Sequence, residues 1–86
     1  MADEKRAEHL LEMRESLLRE MEEADLEFSR IRMQVERMES DLRIGRPEMA
    51  AYREAKGRLL PRAEARVLGL YRELQKLEDR INMSRW

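Results

Sequence analysis

Arg43-Ile44-Gly45-Arg46-Pro47 is the one strong break in a chain otherwise dominated by Ala, Leu, Glu, Arg and Met, all good helix formers. Glycine suits the left-handed position just past a helix end, and proline suits the first turn of the next helix. Gly45 and Pro47 stand in that order. Arg43 fits the negative end of the preceding helix dipole, as Asp3 and Glu4 fit its positive end. The break therefore predicts a helix over about 3–43, a turn at 44–46 and a second helix over about 47–83.

The segment before the break carries a strict 3-4 spacing: Ala7, Leu10, Arg14, Leu17, Met21, Ala24, Phe28, Ile31, Val35, Met38 and Leu42. All but Arg14 are apolar, which is a coiled-coil signature. With Leu10, Leu17, Ala24, Ile31 and Met38 at heptad position d, the others fall at a. Leu60, Ala63, Val67, Leu70, Leu74, Leu77 and Ile81 repeat the period after the break.

In an antiparallel hairpin, residues that face each other have numbers with a constant total. Leu42 with Met49, Ile31 with Leu60, Phe28 with Ala63 and Ala24 with Val67 share the total 91. Met21 with Leu70, Leu17 with Leu74, Arg14 with Leu77 and Leu10 with Ile81 share it too. Its midpoint falls between Gly45 and Arg46, inside the turn already inferred from Gly and Pro. Large Phe28 opposite small Ala63 is what interdigitating layers require. The same register puts Glu27 near Arg66, but also Glu20 near Glu73 and Asp25 near Glu64. Long-range charge favours the pairing: residues 1–45 hold 8 basic and 13 acidic groups, residues 46–86 hold 10 and 6.

Near the turn the seam weakens, because Lys56 would face Val35 and Arg53 would face Met38. Tyr52, Ala55 and Leu59 form a better stripe, displaced by one residue. Pro61 offers a cause: it removes a helix hydrogen bond and crowds the carbonyl of Gly57, four residues back. A kink there rotates the preceding turns. The expected fold class is all-α: a two-helix antiparallel coiled-coil hairpin spanning residues 1–86 as a single domain.

A chain this short cannot wrap a deep core. Apolar residues outside the seam thus become the functional clue. Leu11, Leu18 and Tyr71 fall at e positions, Leu68 lies nearby, and Met13 joins the other flank; Leu26 and Met33 lie further out. Trp86 is a candidate anchor. Leu11, Met13, Leu18, Leu68, Tyr71 and Trp86 are the candidate partner interface. The expected cover is a second copy of the chain, the hairpin dimerising into a four-helix arrangement; a docked helix of another protein is the other way to cover them.

Chemistry finds little footing in the sequence. Cysteine is absent, so no thiolate site exists. His9 lies between Glu8 and Glu12, while zinc needs three or four converging ligands; no metal, cofactor or catalytic residue is expected. No phosphate-cradling glycine loop is present, and no serine has a histidine base. No apolar run approaches a membrane span, no signal-peptide core follows the first residues, and a cytoplasmic location is expected. The functional expectation is a non-enzymatic protein–protein interaction module: an adaptor, scaffold or small assembly chaperone with a helical protein partner. One variant places contact at the turn, through Arg43, Ile44 and Arg46. A nucleic-acid-associated protein is the alternative, since Arg53, Lys56, Arg58, Arg62 and Arg66 could track phosphates, but a net charge of −1 argues against it.

The register makes Phe28 the decisive seam residue. Phe28→Glu should unfold the hairpin at a cost of several kcal/mol, because the new charge has no partner. A circular-dichroism melt indistinguishable from the parent would refute the register.

Overall fold

The computed structural model describes residues 2–45 and 49–84, with side chains described for 5–45 and 49–83. The uninterrupted helix formers before the break give one helix, α1, Ala2–Arg43. The segment after it forms α2, Met49–Glu54, a π-helical turn, Ala55–Leu59, and α3, Leu60–Ser84. These three are continuous and fold back antiparallel along α1, giving a rod of 66 × 15 × 15 Å. The protein is an all-α helical hairpin.

Gly45 ends α1 with φ +79°, and its N–H donates to the Leu42 carbonyl at 3.3 Å. A Cβ at Gly45 would meet nothing within 4 Å. The demand for glycine therefore comes from the backbone alone, through the left-handed conformation that a Cβ disfavours. Arg46 and Pro47, the other half of the turn argument, lie outside the described residues.

Every stripe position of α1 from Leu10 to Leu42 is buried or half-buried, and so is each of Leu60, Ala63, Val67, Leu70, Leu74, Leu77 and Ile81 in α3. Ala7 is exposed. The most deeply buried residues are Leu10, Ala24, Val35, Ala55, Ala63 and Leu77. Three of these six are alanines, and two of them, Ala24 and Ala63, stand opposite the larger Val67 and Phe28 in the register. Arg14, the one charged stripe residue, keeps its side chain 42% exposed and turns Nε toward Glu78 Oε1 at 3.4 Å. Its stem covers the seam while its head stays wet.

Where the two halves of the second arm disagree in register, the π turn resolves them. Ala55 and Leu60 both reach the seam five residues apart, and the Leu60 N–H donates to the Ala55 carbonyl five positions back. The following residue, Pro61, has no N–H to donate, and its ring would crowd the Gly57 carbonyl in a regular α-helix. Widening the preceding turn accommodates both constraints, and inserted π turns are a recognised way to do so.

That turn also corrects one expectation. Met49, expected on the seam opposite Leu42, is 40% exposed. An extra residue in the turn rotates everything upstream by about 100° relative to α3. Ala51 and Tyr52 become half-buried instead, and Ala55 becomes fully buried. Lys56 and Arg53 leave the seam, and Val35 is 3% exposed rather than facing a lysine.

The π turn behaves as a one-residue insertion compensated by Pro61. Deleting Gly57 together with Pro61→Ala should preserve the seam in a continuous α-helix and raise stability by about 1 kcal/mol or more. Deleting Gly69 instead should shift half of the α3 stripe and lower the melting temperature sharply. Thermal melts of the two variants check this; a lower melting point for the first would refute the account.

Candidate interaction surface

With positions a and d consumed by the seam, each helix presents a flank on either side of it. In antiparallel pairing, e positions lie beside e positions and g beside g. Leu11 and Leu18 on α1 share the first flank with Tyr71 on α3, and Leu68 stands three residues before Tyr71 on the adjoining b position. All four are exposed, from 37% for Leu18 to 60% for Tyr71. They lie in the half of the rod away from the turn. Between α1 and α3 on this flank runs a hollow of about 340 Å³, lined by Leu11, Arg14, Glu78, Ile81 and Asn82.

The remaining candidates separate from this group. Met13 is at a g position on the opposite flank, 39% exposed, and is not part of the same surface. Trp86 lies outside the described residues. Leu26 and Met33 stand exposed on the back of α1 at f positions, too far round the helix to join either flank. Ile44 is 69% exposed at the tip, next to exposed Arg43.

The opposite flank is polar. Arg66 Nη1 donates to Glu27 Oε2 at 2.9 Å, the cross-arm pair expected from the register. Beside it lies a hollow of about 410 Å³ lined by Glu27, Ile31, Leu59, Arg62, Ala63 and Arg66. Such exposed pairs contribute about 0–1 kcal/mol each, so they decorate the register more than they determine it. On the first flank, at the e position after Asp25, Arg32 lies over the Phe28 ring, 5.7 Å from its centroid, and covers the outer edge of this half-buried seam residue.

A cluster that the sequence did not disclose sits at the π turn. Lys56 Nζ donates to Tyr52 Oη at 2.9 Å and lies 3.6 Å from Glu39 Oε2 across the seam. The ammonium is also 5.4 Å from the Tyr52 ring centroid. Tyr52 and Lys56 are four residues apart, a spacing that would normally suggest contact. The one-residue rotation by the π turn is what carries the pair to Glu39. Of the five cations proposed for phosphate contact, three are locally engaged: Lys56 as described, Arg58 with Glu54 at 2.6 Å, and Arg66 with Glu27. Only Arg53 and Arg62 take part in no ion pair among the described residues.

His9 is exposed, and no group of three or more His, Asp or Glu side chains converges as a metal site among the described residues. No helix among them is long and apolar enough to cross a membrane. No family model, curated protein or solved structure matches this chain.

The hydrogen bond to Tyr52, reinforced by the Glu39 charge, raises the Lys56 pKa above its ordinary 10.5. A raised lysine pKa means that folding favours the charged form. The contribution is fully present below pH 10.5 and is lost as pH rises through the folded value. NMR titration of Lys56 should place its midpoint above 10.5, with Tyr52→Phe lowering it more than Glu39→Gln does. A midpoint at or below 10.5 in the parent protein would show that the cluster does not form.

Proposed function

We propose that this chain is a non-enzymatic protein–protein interaction module, an adaptor, scaffold or small assembly chaperone of the cytoplasm. It acts by docking helical protein segments against the flank that carries Leu11, Leu18, Leu68 and Tyr71. One observation supports this reading above the others. The seam buries or half-buries its stripe from Leu10 to Leu42 and from Leu60 to Ile81 without these four side chains, yet they gather on one side of one half of the rod. Scattered exposed leucines are ordinary on any surface, whereas grouped ones beside a groove between two helices are the usual setting for helix docking.

The flank can be covered in two ways. A second hairpin would give a four-helix arrangement, and a single helix from another protein would give a three-helix one. Both use the same contacts. Among the described residues the hollows beside the seam are open grooves rather than the enclosed, water-excluding pockets on which catalysis relies. Three of the five cations of the proposed basic track are already paired, which weakens the nucleic-acid alternative.

A photoreactive phenylalanine analogue placed at Tyr71 in cells of the native host should give a covalent adduct with a protein. The same analogue at Leu26, which is equally exposed but on the back of α1, should not. Absence of an adduct at Tyr71, or equal labelling at both positions, would reject the docking surface.

A further inference from the structure

Charge distinguishes between the two ways of covering this flank. Its b and e positions on α1, from residue 8 to 25, read Glu8, Leu11, Glu15, Leu18, Glu22, Asp25. The facing positions on α3, from residue 64 to 82, read Glu64, Leu68, Tyr71, Gln75, Glu78, Asn82. Neither column contains a lysine or arginine over this span; the cations nearest to it are Arg14, which reaches out from the seam to Glu78, and Arg32 at the next e position. The opposite flank, by contrast, mixes Glu20, Glu23 and Glu27 with Arg62, Arg66, Lys76 and Arg80. Of the six carboxylates that rim the apolar group, Glu78 is met by Arg14, and the other five enter no ion pair among the described residues.

A symmetric dimer through this flank would apply the same patch to itself. Its charges would then be mainly carboxylate against carboxylate, five unpaired acids a side with Arg14 engaged by Glu78, a juxtaposition that opposes association. A partner with lysines or arginines on both sides of an apolar stripe meets no such opposition. We infer that the occupant is a cationic amphipathic helix of another protein rather than a second copy of this chain, an inference that rests on the docking reading above.

The geometry sets its length and its anchor. Residues 8 to 25 span about 26 Å of helix axis at ~1.5 Å per residue, so the complementary segment is a helix of roughly 17 residues. Its leucine-type side chains would lie along Leu11, Leu18, Leu68 and Tyr71. In the hollow of about 340 Å³ Arg14 already meets Glu78, so the anchor there is an apolar side chain laid against Leu11 and Ile81, and the partner's cations belong beside the unpaired rim carboxylates. A hairpin and one added helix form a three-helix bundle, in which the added helix sits in the groove between α1 and α3.

The test uses the full chain and two fluorescein-labelled 18-residue helical peptides. Both have leucines on one face; one has lysines flanking them, the other glutamates. The lysine peptide should bind at least about tenfold more tightly by anisotropy, with an affinity that falls as salt rises. Glu8→Gln with Glu15→Gln and Glu22→Gln should weaken it about tenfold, given that several exposed pairs are lost. Glu20→Gln with Glu23→Gln, on the opposite flank, should leave it within about twofold. These exposed substitutions leave the seam intact, so folding is not at issue.

Equal binding of the two peptides, or indifference to the triple variant, would overturn the cationic assignment. A dimer in sedimentation equilibrium that Leu18→Glu dissociates would overturn it in favour of a second copy, leaving the docking surface in place. Failure of both peptides to bind, with an adduct still formed at Tyr71, would overturn the partner chemistry alone. The same failure without an adduct would remove the docking reading as well.

Discussion

The structure depends on one constraint: two helices, with almost nothing else to pack against, must each keep an apolar stripe turned toward the other along the whole rod. A globular domain can absorb a misplaced side chain by shifting a third element. Among the described residues no third arm packs against these two. A helix of 3.6 residues per turn keeps a 3-4 stripe in line only while no residue is gained or lost. Leu10 to Leu42 meet that demand without interruption. The second arm meets it in two pieces, Tyr52 to Leu59 and Leu60 to Ile81, whose phases differ by one residue. The π turn exists because the seam will not tolerate that difference in any other way.

Several features follow from this accommodation. Lys56 is removed from the apolar layer opposite Val35 and reappears at the edge, beside Tyr52 and Glu39. Met49 is displaced to the surface. Glycine at position 57 and proline at position 61 bracket the place where the hydrogen-bond ladder widens, one imposing no side chain and the other offering no donor. Steric conflict at Pro61 and phase mismatch along the stripe are separate pressures, and the same wide turn relieves both.

Much of the hairpin was legible in the sequence because two kinds of signal converged. Turn chemistry at Gly45–Pro47 and the shared total of facing residue numbers have no common origin, yet they locate the same reversal. The stripe at Tyr52, Ala55 and Leu59 could also be read, together with Pro61 as the cause of its displacement. The form of the irregularity could not. Proline tells that a ladder is disturbed, while the choice among a kink, a break and a widened turn is made by packing across the seam. Met49 was misplaced because the constant total holds only where both arms keep the α-helical period. The surface group Leu11, Leu18, Leu68 and Tyr71 could be assembled from heptad positions, whereas Met13 belongs to the other flank. The acidic rim became meaningful only when the flanks were separated in space, since along the chain its carboxylates are interleaved with the basic residues of other faces.

The rod's thinness has a thermodynamic consequence. Each layer of the seam touches only the layers before and after it, so cohesion is built up in one dimension, as in repeat proteins. Such a structure frays. The turn ties one end together covalently, and toward the other end the seam is held by Leu10, Leu77 and Ile81. The flank rich in leucine and carboxylate lies in this less secured half. Any helix laid there would bridge the two arms and act as a clasp, suppressing the separation of the helices at that end. Occupancy and local stability would then rise together by mass action, so that the state of the clasp is reported by how tightly the open end holds.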